Sequence, residues 1–222
     1  MRRSLLAACL LCMSPMVLAD GQATLVDGSG DPDSAVTARW IGDQLRLDFP
    51  RHAAKGYLLL RDGKGYAVTN FGGQPVVLGI RDLQSIAGQL GGQDMSQLGS
   101  YQAQQVLALE PTGSTESVAG IEGDVYRLDW INRDGDRRQD SLVLSQRGEV
   151  RELLLVVDRY QRIMTGQPDP VAAQLEQRGL GILRFGDKFQ VSQLTSTPPD
   201  AAALALPAQG GNVSDLLRSV IQ

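Results

Sequence analysis

Histidine and cysteine are nearly absent from this chain: 222 residues hold one His and two Cys. Both cysteines, Cys9 and Cys12, lie in the first nineteen residues. That segment starts with Arg2-Arg3, runs apolar from Ser4 to Val17 and ends Val17-Leu18-Ala19. A basic start, a short apolar stretch and a small residue at the end predict a secretory signal peptide over residues 1–19, cleaved after Ala19. The apolar run is too short to span a bilayer, so no transmembrane segment is expected. The exported chain then carries no thiol, which excludes a cysteine nucleophile and any zinc site built from Cys and His. His52 follows Phe49-Pro50-Arg51 at the end of a strand pattern, which suits an exposed loop histidine better than a general base. No Ser has G-x-S-x-G surroundings, and no Ser stands three residues before Lys55, Lys64 or Lys188, the only lysines. Leu6-Ala7-Ala8-Cys9 is lipobox-like, but a cut before Cys9 would leave an apolar core of about five residues, below the usual ~7–15.

Basic charge is also scarce. The formal net charge is −4 with Arg2 and Arg3 counted, and their loss makes the exported chain more acidic. Nucleic acid rewards basic patches through counterion release, so no nucleic-acid partner is expected. The Arg133, Arg137, Arg138, Arg147 and Arg151 group is interspersed with Asp134, Asp136, Asp140 and Glu149. It reads as a solvated, mixed-charge face with the makings of an interaction surface. No cofactor or metal is expected. Asp27-Gly-Ser29-Gly-Asp31-Pro-Asp33 has the alternate oxygens of a calcium loop, but Pro32 and Ala38 stand where such a loop needs Gly and Glu. Gly179-Leu-Gly181-Ile-Leu-Arg-Phe-Gly186 is not a dinucleotide fingerprint and precedes a strand pattern.

What is present is turn residues and alternation. The chain holds 25 Gly and 10 Pro. Gln22–Val26, Ala35–Ile41, Gln44–Phe49, Tyr57–Leu60, Tyr66–Thr69 and Gln74–Leu78 read as a meander, with turns at Gly42-Asp43 and Arg61–Gly65. Leu45, Leu47 and Phe49 share one face, and Gln44, Arg46 and Asp48 the other. The period then lengthens: Ile80, Leu83, Ile86 and Leu90 predict a helix over Arg81–Leu90, ended by Gly91-Gly92. Strands resume at Gln105–Glu110, with a turn at Pro111–Gly113. Gly123–Ile131 and Arg137–Ser145 pair around Arg133–Asp136. Glu149–Met164 has helical spacing, although Leu153–Val157 alone also fits a buried strand. Asp169 caps a second helix to Gln177, with Pro170 in its first turn. Gly181–Phe185 and Lys188–Leu194 pair around Gly186-Asp187, and Ala201–Ala205 is low in complexity. Residues 20–208 form one β-rich domain, and residues 209–222 a tail with a short helix over Asn212–Ile221. The expected class is α+β, antiparallel sheet with helices on one side.

Thr115-Glu116-Ser117-Val118-Ala119-Gly120 followed by Tyr126-Arg127-Leu128 resembles the "t-e-x-V-A-G-x-x-x-x-x-Y-x-l" signature of an exported bacterial family, domain-of-unknown-function family 4412. Gly42–Phe49 is similar to that family's "gdklRid" hairpin, and Asp62-Gly63-Lys64-Gly65-Tyr66 to its "dgkkxY" turn. Leu204-Ala205-Leu206-Pro207 is similar to its closing "F-x-l-P", with Leu204 in place of the aromatic. Some members carry Cys near the Gly123 position, and this chain does not. The family resembles in fold the LolA and LolB lipoprotein carriers and the sensor domain of RseB. The resemblance implies a LolA-like incomplete antiparallel β-barrel with helices covering its concave side. Leu45, Leu47, Leu58, Leu60, Leu128, Trp130, Leu142 and Leu144 would line the cavity. Leu83, Ile86, Leu153, Leu154 and Val157 would form the lid. The function it implies is non-enzymatic binding of an apolar ligand (a lipid or a lipoprotein acyl chain) in the periplasm or outside the cell. The alternative is a periplasmic interaction or sensor module that binds an envelope protein. Shared fold alone transfers neither role.

Overall fold

The structure is a computed structural model that describes residues 20–49, 56–71, 73–80 and 103–208. Its strands are β1 (Gly21–Val26), β2 (Val36–Ile41), β3 (Gln44–Asp48), β4 (Tyr57–Arg61), β5 (Lys64–Phe71), β6 (Gln74–Gly79), β7 (Ala103–Val118), β8 (Ile121–Asn132) and β9 (Arg137–Ser145). Two helices follow, α1 (Gly148–Thr165) and α2 (Pro170–Gln177), and then β10 (Gly181–Phe185) and β11 (Phe189–Thr195). All belong to one 11-stranded sheet in the order β6-β5-β4-β3-β2-β1-β11-β10-β9-β8-β7. Consecutive strands pair antiparallel within β1–β6, within β7–β9 and in β10–β11; β9 meets β10 across the two helices, and β1 meets β11, with Gln22 opposite Thr195. The sheet is open, with β6 and β7 at its edges among the described residues. This is the α+β antiparallel arrangement in its coarse form. The helix expected over Arg81–Leu90, with Leu83 and Ile86, lies outside the described residues. So do the signal segment, His52 and Asn212–Ile221.

One strand expectation needs correction. Pro111–Gly113 is not a turn between strands but lies within β7, where the register with β8 breaks between Pro111 and Thr115. Gly113 takes a φ of 83° there, and the Thr112 hydroxyl donates to the Val125 carbonyl at 2.9 Å, which holds the bulge onto β8. A proline without an N–H is tolerated because β7 is an edge strand. The reversal falls instead at Ala119-Gly120, with φ of 53° and 75°, a two-residue turn of the primed kind that matches strand twist. The segment Ala201–Ala205, low in complexity, carries a short turn of 3-10 helix. Asp200 accepts from the Ala202 N–H at 2.9 Å and caps a 3-10 turn over Ala201–Leu204. The Ala203 and Leu204 carbonyls accept from Arg46 and Arg61 at 3.1 and 3.3 Å, and the Leu204 side chain is wholly buried.

Glu149–Met164 is helix, not strand. Helix α1 ends at Gly166, whose φ of 72° lets its N–H reach the Arg162 carbonyl at 2.9 Å. Two glycines let it lie close on the sheet. A Cβ on Gly181 of β10 would stand 2.3 Å from the Val150 carbonyl oxygen, and one on Gly65 of β5 would stand 3.1 Å from Ile163 Cγ2. Helix α1 therefore crosses the sheet from β10 to β5. Asp169 caps α2 as its sequence predicts, accepting from the Val171 N–H at 2.9 Å.

Candidate functional site

The eight predicted cavity residues fall into two packed clusters. Leu45, Leu47 and Leu60 belong to the first, with Leu58 packed against it. Lid residue Leu153 lies in the same cluster, joined by Val150, Val156 and the partly buried Val157 of α1. Leu128, Trp130, Leu142 and Leu144 belong to the second, together with lid residue Leu154 and with Val171, Ala172 and Leu175 of α2. The split follows from strand alternation. Leu142 and Leu144 point to the second cluster, and Val143 between them points to the first. Leu45 and Leu60 are each 1% exposed, and Leu128, Leu142 and Leu144 are 0%. Side chains walling an open cavity keep more accessible surface than that, so these leucines are packed among other side chains of their clusters.

Polar chemistry gathers at the rim of the second cluster. Trp130 Nε1 donates to Asp140 Oδ2 at 2.7 Å, and Lys188 Nζ donates to Asp140 Oδ1 at 2.5 Å. The ammonium also lies 4.5 Å from the Phe185 ring centre and 5.4 Å from that of Trp130, within cation–π range. Phe189 adds a third ring, 6.1 Å from Phe185. Gly186 makes room for the carboxylate: a Cβ there would meet Asp140 Oδ1 at 2.7 Å. Lys188 and Asp140 are only 16% and 12% exposed, so the pair staples the β10–β11 turn onto β9 in a poorly hydrated site. Trp130 was expected from sequence, but Asp140 and Lys188 were not. The available signal was the row Asp140, Leu142, Leu144, in which a carboxylate continues an inward-facing alternation.

A second polar site lies where α1 meets α2. Asp158 is the buried carboxylate of α1, one turn beyond Leu154. Its Oδ2 accepts from Arg162 Nε at 2.6 Å, and its Oδ1 is buried without a partner among the described residues. Gln174 Oε1 on α2 is likewise buried and unpartnered. Burial holds the Asp169 carboxyl above its ordinary value, and the Asp158 charge adds to that, while its cap bond to Val171 opposes it. Burial also raises the Tyr160 phenol.

The remaining predicted features separate. Asp27 accepts from the Ser29 hydroxyl at 2.6 Å and from the Ser29 and Asp31 N–H groups, so the calcium-like loop binds its own backbone. Its carboxyl is held below its usual value by those same bonds, the Ser29 hydroxyl first. Of the arginine group, Arg147 pairs with Glu149 at 2.7 Å, away from Arg137 and Arg138. Those two line a groove of ≈430 Å³ with Leu107, Ala108, Asp129 and Gln139, on the arm formed by β7, β8 and β9. Leu107 was not expected; it is 37% exposed and sits inside a register break of β7.

No helix among the described residues is long and apolar enough to cross a membrane. Compared with protein-family models, curated proteins and solved structures, the chain matches none of them.

Proposed function

We propose that this chain is an exported cell-envelope protein that acts by binding, as a periplasmic or secreted interaction or sensor module, and that its docking element is the β7–β9 arm. One observation carries the reading. Among the described residues the inward leucines are buried in two clusters with side chains of α1 and α2, while the arm leaves most of β7 and the start of β9 exposed. A protein whose inward leucines are already matched has its free binding surface on the outside. The sequence agrees: once the signal segment is removed, neither thiol nor a second histidine remains for catalysis. Photo-crosslinkers placed at Leu107 and Gln139 in cells test this. A partner recurring from both positions is the expected result, and none recurring sinks the reading.

The carrier reading, with the family 4412 likeness and its LolA-like incomplete barrel, is kept for a specific reason. Helix α1 carries a buried carboxylate oxygen with no donor among the described residues, a weak point in the contact that would have to open for an acyl chain to enter. Native mass spectrometry of protein purified gently from its own envelope decides between the two. Bound lipid restores the carrier, and a clean protein mass removes it.

A further inference from the structure

We infer that the groove on the arm receives an extended acidic segment of a partner protein, with an apolar side chain of that segment set on Leu107. The inference rests on the interaction reading above and specifies its partner.

Edge strand β7 does not invite the partner as an added strand. Its register with β8 breaks three times, Pro111 lacks a donor, and Arg178 NH1 already occupies the Leu109 carbonyl at 2.9 Å. Bulges, proline and covering side chains are what natural edges use to refuse strand addition. Binding is left to the face. There the break between Val106 and Ala108 turns Leu107 outward, as bulges do when they re-aim a side chain.

The charges around the groove are unequally matched. Asp129 Oδ1 accepts from Gln139 Nε2 at 2.7 Å, and its Oδ2 faces Arg127 Nε at 3.5 Å. Arg127 also holds Glu110 at 2.5 Å. The acids are thus engaged. Among the described residues, the ion pair of Arg138 is an exposed contact to Asp136 at 3.2 Å, the kind of surface pair that contributes little and exchanges readily. Arg137 forms no ion pair among the described residues. The Arg137 guanidinium beside one exposed leucine presents a forked donor for a carboxylate and one apolar contact. That is complementary to an acidic peptide with an apolar residue.

The test uses the full exported chain and a fluorescein-labelled ten-residue peptide, rich in glutamate with one central leucine. A glutamine counterpart and phosphatidylglycerol vesicles are run beside it. Anisotropy is read at low and at moderate salt, with circular dichroism confirming that each variant is folded. Arg137→Glu is expected to weaken binding of the acidic peptide about tenfold, with a steep salt dependence, and Leu107→Ser to weaken it severalfold. Arg151→Glu, an exposed charge reversal on α1, is expected to leave it unchanged. Failure of the acidic peptide to bind, equal binding of the glutamine peptide, or equal loss with Arg151→Glu overturns the inference. Vesicle binding that is lost with Arg137→Glu also overturns it and assigns the groove to an anionic membrane surface. A partner crosslinked from Leu107 together with a negative peptide result would leave the interaction reading standing and remove only the acidic segment.

Discussion

Changing Gly181 to Ala tests whether α1 is seated on the sheet or rides above it as a loose cover. The added Cβ would fall 2.3 Å from the Val150 oxygen, 2.4 Å from the Val150 carbon and 2.6 Å from the Arg151 nitrogen. All three are backbone atoms of the first turn of α1, so no side-chain rotation relieves the clash. The turn must lift by on the order of 1 Å, and overpacking of this kind costs about 1–3 kcal/mol. Lifting also loosens Val150, Leu153 and Val156, which are no more than 2% exposed. Each such side chain gains about 1.5–3 kcal/mol from full burial, so partial loss adds roughly another kcal/mol. The expected total is about 3 kcal/mol, or a fall in Tm of roughly 6–12 °C for a chain of this size. Gly148→Ala is the control. It opens the same helix, with no atom within 4 Å of the added Cβ, and is expected to stabilise by about 0.5–1 kcal/mol. Urea denaturation followed by circular dichroism measures both. Gly181→Ala within about 0.5 kcal/mol of the parent would refute the close seating of α1, and with it the filled interior.

Two further outcomes follow from the polar sites. Asp140→Ala strands the Lys188 ammonium and the Trp130 N–H in a nearly buried place, so a loss of about 3–5 kcal/mol is expected, with altered Trp130 emission. The paired change Asp140→Leu with Lys188→Met is expected to recover most of it, and an Asp140→Ala loss under about 1 kcal/mol would contradict the staple. At the helix joint, the Asp169 carboxyl lies above its ordinary 3.8 when folded, so the folded state favours its protonated form. Stability therefore rises as pH falls from above the raised value toward 3.8, and is lost on the way back up. Asp169→Asn keeps the cap and removes the charge, so it is expected to stabilise at neutral pH, by an amount that shrinks on acidification. A pH-independent difference in unfolding free energy between Asp169→Asn and the parent would count against this.

Local features were legible because they depend on neighbours in sequence. The Arg133–Asp136 reversal, the Asp169-Pro170 cap and the alternation of Leu45 and Leu47 each rest on a few adjacent residues, and each is found where its pattern places it. The Pro111–Gly113 segment misled because its turn residues serve equally well in a bulge, and only the continued pairing of Thr115–Val118 with β8 distinguishes the two. Asp140 and Lys188 were unreadable for another reason. Polar residues in a hairpin are solvated unless something distant covers them, and here rings from β8 and β10 do.

By itself, then, the sequence determined the coarse kind of fold: an antiparallel α+β chain. Period-two alternation, turn chemistry and composition are local, and they suffice for that. The tertiary structure decided what the inward leucines face. Alternation assigns a side chain to a face of the sheet but not to the element that covers it. Closure of β1 on β11 across the length of the domain, and the glycine at position 181 that lets α1 come down onto β10, place those leucines in two filled clusters. The same packing leaves Leu107 and Arg137 on the outside, at the groove of the arm.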